Sequence, residues 1–487
     1  MNKEIDPQRV IDEIYSPGND LSIYAKTVYP DPVHQYRRGI RSNSFAIEGG
    51  AFGDEGKGEV LKRLHGRMTD FGQKEAVSIR WQGGNNTGHE VQFSPNKKFC
   101  FHQIPVGVIF PQTTGIITRG MVLHPEDAVT EINQIKATFG EMPGNLLIDS
   151  HTPLCLDTER ALEAIVSGTG STGMGIGSAY ALQLLRNNLT VGDLMDEREW
   201  RNSLSNHYLW VEKTLSGHDI DLRAVSVNSL AGERRPVGTE QEFIGRLAGA
   251  RNEFLKYVSD NIFDFLRTKW RDFSIPFSAE GAQAVGLHRD WGISPDYTAS
   301  ETTFQGIFSA TEGVVNPRDV AGKFGVIKAY FSSVGKRRLP GGPLPQETAS
   351  KMRDIFDERG RSTGRDRDIY PIHLPALKYF QKVGGYEWLI VTHLDWTAET
   401  VKVVTGYKDE NGNPAPYHPY QSKLDKLTPV IADLPGWDGE IAGKAKTPKD
   451  LPENALRFLQ FLSQTIAPVA YATDGPYEGQ MVSWLDS

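Results

Sequence analysis

Cysteine is scarce in this chain of 487 residues, and the two that occur, Cys100 and Cys155, form no CxxC pair. A disulfide framework and a zinc cluster both need several cysteines at defined spacings, so neither is expected. This usage favours a reducing compartment, and we predict a cytoplasmic protein. The chain also lacks an 18-residue apolar run and a charged-then-apolar leader, so neither a membrane span nor secretion is predicted.

Positive charge is not concentrated anywhere in the sequence. The 53 Lys and Arg residues are scattered, and 61 Asp and Glu residues bring the formal net charge to −8. Without a basic stripe, a nucleic-acid polymer is not expected as a partner, whereas a small charged substrate is compatible. No repeat of fixed period is present, which excludes a solenoid.

Short apolar or β-branched runs recur between helical stretches in the rest of the chain. This alternation predicts an α/β fold with a large, mostly parallel central sheet flanked by helices, with helical insertions. Residues 1–43 are polar and interrupted by Pro and Gly, so we predict an N-terminal extension followed by a catalytic domain over 44–487. The runs are "SFAI" (44–47), "AVSIRW" (76–81), "GIIT" (115–118), "NLLI" (145–148), "IPFS" (275–278), "FGVIKAY" (324–330), "EWLIVT" (387–392) and "APVAYAT" (467–473).

The strand pattern stops between about residues 197 and 272. Phe243, Leu247 and Phe254 recur there at roughly helical spacing, which predicts one or two long amphipathic helices and a mainly helical region. Further along, "DENGN" (409–413) places Asn-Gly between extended segments, and this predicts a hairpin turn rather than a calcium loop.

Five of the apolar runs are followed at once by a polar or glycine-rich cluster. In open parallel sheets, ligands bind beyond the carboxyl ends of the strands, so the five clusters are expected to converge on one cleft. They are "EGGAFGDEGKG", "QGGNNTGHE", "AEGAQ", "HLD" and "DGP".

The first cluster departs from the standard phosphate loop. Five residues separate Gly50 from Gly56, Gly58 stands where a hydroxyl residue is usual, and the loop contains two carboxylates. Lys57, at a glycine-rich turn into a helix, is expected to bind phosphate. A carboxylate beside phosphate indicates magnesium coordination or general base chemistry.

Two other clusters also suggest anion chemistry. His89, in "NNTGHE", would donate to negative charge developing on a phosphoryl group. The glycine-rich "GTGSTGMGIGSAY" (168–180) offers hydroxyls and free amides, so a second anion nest is expected there.

Taken together and in order, these strings resemble adenylosuccinate synthetases. The matching strings span most of residues 44–487 and are "GDEGKG" (53–58), "QGGNNTGH" (82–89), "GSTGMGIGSAY" (170–180), "RNNLTVGDL" (186–194), "EGAQ" (280–283), "PDYTASETT" (295–303), "VIKAYFSSVG" (326–335), "STGRDR" (362–367), "THLD" (392–395) and "TDGP" (473–476).

The resemblance implies an α/β fold like that of P-loop NTPases and a magnesium-dependent ligase that works in two steps as a cytoplasmic homodimer. A nucleoside triphosphate first phosphorylates O6 of IMP, and the amino group of L-aspartate then displaces the phosphate to give adenylosuccinate. Asp54 would remove the N1 proton of the purine and would also contact Mg2+, with Gly88 placing a carbonyl on the metal. A base is needed where phosphate and purine meet, and this need explains a carboxylate in the loop.

The remaining roles also come from the resemblance. Lys57 would hold the donor phosphates, His89 would stabilise the phosphoryl group in flight, and Gln283 would hold the IMP. Thr363 and Arg365 would bind L-aspartate, a task suited to a bidentate guanidinium. The positions implied in nucleotide binding are Gly53, Glu55, Gly56, Gly58, Asn86, Thr172, Arg186 (from the neighbouring subunit), Thr298, Val334, Arg367, His393, Asp395, Thr473, Gly475 and Pro476.

Several positions depart from the family pattern and keep alternatives open. Met174 stands where Arg is usual, Glu301 replaces Asn, Asp366 interrupts an arginine run, and His393 replaces the Lys of Lys-Leu-Asp. The retained Asp395 predicts GTP as donor, with ATP or dATP as the alternative.

Two other functions are compatible with the same strings. An enzyme resembling viral 2-aminoadenylosuccinate synthetases would act on GMP or dGMP, but the residue matching Asp54 is typically small in that branch, so Asp54 favours IMP. A non-catalytic purine nucleotide sensor would need a broken catalytic position, whereas Asp54, Lys57, His89 and Gln283 are all present.

Overall fold

The structure is a computed structural model of the chain, and it describes residues 5–32, 40–70, 72–165, 172–230, 232–359, 366–396, 399–437, 441–477 and 479–485. The α-helices are α1 Pro7–Ile14, α2 Leu21–Lys26, α3 Lys57–Thr69, α4 Pro125–Phe139, α5 Asp157–Leu162, α6 Ile176–Leu184, α7 Trp200–Ser216, α8 Glu240–Phe254, α9 Ile262–Arg271, α10 Gln305–Ala310, α11 Gln346–Phe356, α12 Leu374–Gly384, α13 Gln421–Leu424 and α14 Glu453–Thr465. The strands are β1 Arg41–Gly49, β2 Ala76–Arg80, β3 His89–Ser94, β4 Lys97–Phe101, β5 Thr113–Ile117, β6 Asn145–Asp149, β7 Ser226–Asn228, β8 Arg234–Pro236, β9 Val258–Ser259, β10 Phe277–Glu280, β11 Val320–Lys328, β12 Phe331–Ser333, β13 Asp368–Tyr370, β14 Ile372–His373, β15 Trp388–Thr392, β16 Thr400–Lys408, β17 Pro414–Ala415, β18 Thr428–Pro435, β19 Val469–Thr473 and β20 Met481–Ser483.

Within the described residues, ten strands form one central sheet in the order β20-β19-β15-β11-β1-β10-β2-β5-β6-β9. All neighbouring pairs are parallel except β19 and β20. The eight apolar runs of the sequence each contribute a strand to this sheet, which confirms the predicted α/β class. The remaining strands form a small sheet around β16 and three two-stranded pairs.

The core lies on both faces of the central sheet because successive side chains of a strand point to opposite sides. In β1, Ala46 packs into one apolar cluster, whereas Phe45 and Ile47 pack into the other. In β15, Leu389 belongs to the first cluster and Ile390 to the second. Strands buried on both faces need apolar residues in succession, and this explains the continuous runs in the sequence.

Residues 5–32, within the predicted N-terminal extension, contain α1 and α2, and both helices pack against α14. Asn19 donates to the side chain of Gln460 (3.1 Å), and the hydroxyls of Tyr24 and Ser463 are 3.0 Å apart. The amide of Tyr29 donates to the carbonyl of Trp484 (2.7 Å), just after the edge strand β20. The extension therefore covers that end of the sheet.

Two of the local predictions are confirmed. The segment 240–271 forms two helices, α8 and α9, with the short β9 between them. The "DENGN" segment turns between β16 and β17, where the amide of Gly412 donates to the carbonyl of Asp409 (3.0 Å). Residues 197–272 also contain the short β7–β8 hairpin. Among the described residues, no helix has the length and apolar character needed to cross a membrane.

Candidate functional site

A cavity of about 1020 Å³ opens at the carboxyl ends of β1, β2, β10, β15 and β19. Residues from all five polar clusters line it, so their predicted convergence is confirmed. The lining residues that the sequence singled out are Gly53, Asp54, Gly56, Lys57, Gly58, Asn86, Gly88, His89, Thr172, Gln283, Thr298, Val334, Arg367, His393, Asp395, Thr473, Gly475 and Pro476.

The loop between β1 and α3 brings backbone amides to this cavity. Gly56 caps α3 with φ of 84°, in the left-handed region that glycine adopts without strain. Lys57 is the first residue of the helix, so its side chain and the free amides of the first turn lie at the positive end of the helix dipole. Gly58 passes close to His89, since a Cβ built at Gly58 would be 2.9 Å from the His89 Cβ. This end of α3 suits an anion.

The two carboxylates of the loop have different surroundings. The resemblance places Glu55 at the nucleotide, but Glu55 is absent from the cavity lining because its side chain turns back into its own loop. Its Oε1 accepts from the amide of Gly53 (2.7 Å), and its Oε2 lies 2.7 Å from Nζ of Lys57, with both side chains 2% exposed. Asp54 instead lines the cavity and its side chain is 34% exposed.

Asp54 contacts the guanidinium of Arg367, and a buried network of polar side chains holds that guanidinium in place. Arg367 Nη1 donates to Glu358 (3.3 Å), and Glu358 also accepts from the hydroxyl of Tyr330 (2.5 Å) and from Nζ of Lys328. Burial lowers the pKa of Arg367 to about 10, so the guanidinium remains cationic at neutral pH. The network fixes a positive charge beside Asp54.

His89 faces the loop from the neighbouring strand segment. Its Nδ1 hydrogen bonds to Glu280, the last residue of β10, and Glu280 also accepts from the amide of Val106 (2.9 Å). Burial lowers the pKa of His89 to about 4, although Glu280 acts in the opposite direction. The neutral ring donates from Nδ1 to the carboxylate, and Nε2 is buried without a hydrogen-bond partner among the described residues. Negative charge placed at Nε2 would favour protonation there.

The amide side chains of Asn86 and Gln283 line the cavity. Gln283, with φ of 57°, follows β10 and donates from Nε2 to Oδ1 of Asn86 (3.2 Å). Thr298 is held on its own loop, because its amide donates to the carbonyl of Leu287 (2.8 Å). These groups offer hydrogen bonds to a planar polar ligand.

Aromatic rings contact His393, which also lines the cavity. Its ring lies edge-on to Phe356, with centroids 5.2 Å apart, and to Tyr330 at 5.8 Å. Burial raises the pKa of the nearby Asp395 to about 6, and Asp474 adds to this effect. Asp395 is therefore mostly ionised at neutral pH and can accept hydrogen bonds from a ligand.

Of the remaining predicted site residues, one lies away from the cavity and two lie outside the residues that the structure describes. Arg186 has φ of 58°, is exposed and does not line the cavity of its own chain. Thr363 and Arg365 lie outside the described residues.

Sequence reasoning did not single out Glu280, Glu358 or Lys328 as functional residues. Glu280 lies within the "AEGAQ" cluster, although no role was assigned to it, and Lys328 is the last residue of β11, so the rule that identified the five clusters applies to it too. No sequence pattern identifies Glu358 as a functional residue, because its partners Lys328 and Tyr330 lie about thirty residues earlier in the chain.

Comparison with known proteins identifies the family. The adenylosuccinate synthetase family model matches residues 46–482. The chain belongs to the adenylosuccinate synthetase family. The resemblance seen in the sequence motifs is thereby confirmed.

Curated adenylosuccinate synthetases are similar over nearly their whole length. The protein of Clostridium botulinum (strain Alaska E43 / Type E3) is 30% identical over 456 residues, which cover 90% of this chain and 99% of that protein. The Clostridium kluyveri protein is 31% identical over 457 residues, covering 91% and 99%.

Solved structures share the fold. A fully ligated adenylosuccinate synthetase from Plasmodium falciparum superposes with a TM-score of 0.79 at 22% identity, covering 91% of this chain and 99% of that one. A cyanophage S-2L succinoaminodeoxyadenylate synthetase, bound to dGMP and to dATP as an energy donor, gives a TM-score of 0.55 at 15% identity, covering 91% and 95%.

Proposed function

We propose that this member of the adenylosuccinate synthetase family is a C–N ligase that converts IMP and L-aspartate to adenylosuccinate at the expense of a nucleoside triphosphate. The observation that carries the proposal is the meeting of Asp54, Lys57 and His89 at one cavity, because the first step needs a base, an anion-binding cation and a donor to the phosphoryl group together.

In the first step, Asp54 takes the N1 proton of the purine, and O6 then attacks the γ-phosphoryl group, whose bond to the β–γ bridging oxygen breaks so that the nucleoside diphosphate leaves. His89, protonated at Nε2 once the negative phosphates are bound beside it, donates from Nε2 to the oxygens of that group as charge develops on them, while Glu280 accepts from its Nδ1. Lys57 and the amides at the start of α3 bind the donor phosphates. In the second step, the amino group of aspartate attacks C6 and inorganic phosphate leaves.

Magnesium fits the oxygen groups that line the cavity. Asp54 and Gly88 both line it, and a carboxylate with a backbone carbonyl is a donor set that Mg2+ accepts. We propose that these two residues hold the ion, which supplies positive charge to the phosphates when bound.

The acceptor and aspartate sites follow from the same arrangement. Asn86, Gln283, Thr172 and Thr298 line the cavity and would bind IMP. Arg365, together with Thr363, would bind the carboxylate of L-aspartate, as the family motif implies.

For the donor we propose GTP, because Asp395 lines the cavity as a carboxylate. Guanine offers an N1–H and an exocyclic amine to such a group. Adenine would present an acceptor at the same position, and the half-buried carboxylate would then lose its partners at a cost of about 1–3 kcal/mol. ATP or dATP is the alternative that competition kinetics tests.

We also propose a homodimer in which Arg186 reaches the IMP site of the other subunit. Arg186 follows Leu184 and Leu185, which are 86% and 67% exposed at the end of α6. Adjacent exposed apolar side chains are costly in water, and a subunit interface would cover them.

Phosphate release measures the proposed activity directly. The assay combines the protein with Mg2+, L-aspartate, GTP or ATP, and one acceptor chosen from IMP, GMP and dGMP. Release that needs both IMP and aspartate, with adenylosuccinate as product, is the expected result. Turnover with dGMP or GMP instead would establish the alternative acceptor, and nucleotide binding without turnover would establish a sensor.

A further inference from the structure

Arg63 is a buried cation that the proposed reaction does not use. It lies in the second turn of α3, is 4% exposed, and lines the cavity at the end where the Gly475–Pro476 turn lies. A buried guanidinium is costly unless it is hydrogen-bonded, so its partners indicate its purpose.

The partners of Arg63 are mostly carbonyls of the turn after β19. Nη2 donates to the carbonyl oxygens of Tyr477 (2.8 Å) and Gly475 (3.3 Å), and Nη1 donates to that of Gln480 (3.0 Å). Nε donates to Glu59 (2.9 Å), one turn earlier on the same helix. One side chain of α3 therefore binds three carbonyls of a segment more than 400 residues away in sequence.

The turn is also fixed from its other side. The Asp474 carboxylate accepts from the amide of Ala445 (3.0 Å), and the Asp474 carbonyl accepts from the amide of Gly443 (3.1 Å). Within the turn, the side chain of Gln480 accepts from the amide of Tyr477 (2.6 Å). Because the amides of residues 443 and 445 already fix Asp474, Arg63 acts on the part of the turn that follows Asp474.

Arg63 links this turn to the phosphate loop through a rigid element. It is six residues after Lys57 on α3, so about 9 Å of helix separate the two positions at 1.5 Å per residue. Lys57 and the turn line the same cavity. In a nucleoside triphosphate the base and the phosphates are covalently linked at a limited distance. The nucleotide therefore binds best when the protein's base site and phosphate site are already held at a matching distance.

We propose that Arg63 is a positioning residue for the donor nucleotide: it holds the Gly475–Pro476 turn at a set distance from the phosphate loop and so determines the affinity for the nucleoside triphosphate. The inference rests on the proposed function, since it takes the cavity between Lys57 and this turn as the donor site. It assigns no chemical step to Arg63, whose guanidinium serves the backbone of the turn.

The test compares two substitutions at Arg63 with a control on the same helix. Arg63→Met keeps an unbranched side chain but removes every hydrogen-bond donor, and Arg63→Lys keeps the charge with a different donor geometry. Arg67→Met is the control, because Arg67 lies one turn later, over the ring of Tyr471, and does not line the cavity. For each variant, KM is measured for the better of GTP and ATP, for IMP and for aspartate.

We expect Arg63→Met to raise KM for the triphosphate at least about tenfold, while KM for IMP and aspartate stays within about twofold and kcat within about threefold. Arg63→Lys should be intermediate, and Arg67→Met should match the wild type. A role confined to stability would lower the melting temperature without separating the three KM values.

An unchanged triphosphate KM in Arg63→Met, or an equal rise in all three KM values, would overturn the inference. If circular dichroism shows that Arg63→Met is unfolded, Arg63→Lys decides, and a wild-type triphosphate KM in that variant rejects the positioning role. The wild-type protein separates failure of this inference from failure of the proposed function. If the wild type releases no phosphate with any triphosphate and acceptor, the proposed function is refuted. If the wild type is active and the Arg63 variants have unchanged KM values, only the role of Arg63 is refuted.

Discussion

Acid should destabilise this protein in part through His65, a buried residue of α3. The ring contacts side chains of two strands of the central sheet: Nδ1 is 2.9 Å from Oγ of Ser278 in β10, and Nε2 is 2.8 Å from Oγ1 of Thr113 in β5. Burial lowers the pKa of His65 from 6.5 to about 4, although Glu280 acts in the opposite direction. The folded protein therefore holds this ring neutral where the unfolded chain binds a proton.

The sign and size of the effect follow from proton linkage. Above pH 6.5 both states are neutral at His65, and the stability is fully present. Between pH 6.5 and about 4 the unfolded state binds the proton first, so the free energy of unfolding falls as the pH falls. A difference of about 2.5 pKa units corresponds to roughly 3 kcal/mol at the end of this window, of which about 2 kcal/mol is lost between pH 7 and pH 4.5.

Urea unfolding at pH 7 and pH 4.5, at one protein concentration, measures this loss. His65→Gln keeps a polar side chain that does not titrate, so its stability should fall by about 2 kcal/mol less than that of the wild type over the same interval. His218→Gln, at an exposed position, controls for the removal of an imidazole elsewhere. Equal pH dependence in the wild type and His65→Gln would show that His65 is not held neutral by burial.

Three further predictions concern catalysis. Asp54→Asn should bind nucleotides within about tenfold of the wild type yet lose at least about 10²-fold in turnover, because shape survives and proton abstraction does not; near-normal turnover would remove Asp54 as the base. Mixing Arg186→Leu with Asp54→Asn subunits should restore part of the activity, and no recovery despite subunit exchange would refute a shared site. Competition kinetics at equal Mg2+ should favour GTP over ATP by at least about tenfold in kcat/KM at pH 7.5, and the preference should shrink below pH 6 as Asp395 is protonated; an ATP preference would show that Asp395 does not contact the base.

The sheet could be predicted from the sequence because each of its long strands is buried on both faces and must be apolar in succession. The ends of the strands depend on backbone hydrogen bonds as well as on apolar character. The run "IPFS" correctly predicts a strand, but Pro276 lacks an amide hydrogen, and β10 begins at Phe277. The five clusters converge because they occupy equivalent ends of parallel strands, a relation that needs no knowledge of side-chain contacts.

The side-chain partners could not be predicted in this way, since they depend on how distant segments pack. In the sequence Arg63 is one of several charged residues of α3, with Glu59 and Arg67 one turn before and after it, and its three carbonyl partners lie in the segment between β19 and β20. Glu358 is separated by several strands and helices from Asp54, yet both contact Arg367. No local pattern of residues specifies either contact.

The partner of Glu55 explains how a loop with two carboxylates can still bind an anion. Glu55 and Lys57 neutralise each other at 2.7 Å, and the second oxygen of Glu55 is held by the amide of Gly53, so this carboxylate shapes the loop and adds little repulsion toward the cavity. Lys57 also lines the cavity, where an arriving phosphate would share its charge with Glu55. Asp54 is then the loop carboxylate that lines the cavity, beside the positive charge of Arg367. Phosphate binding and base catalysis can therefore occupy one loop, because one acidic residue is internal and paired while the other is directed at the cavity.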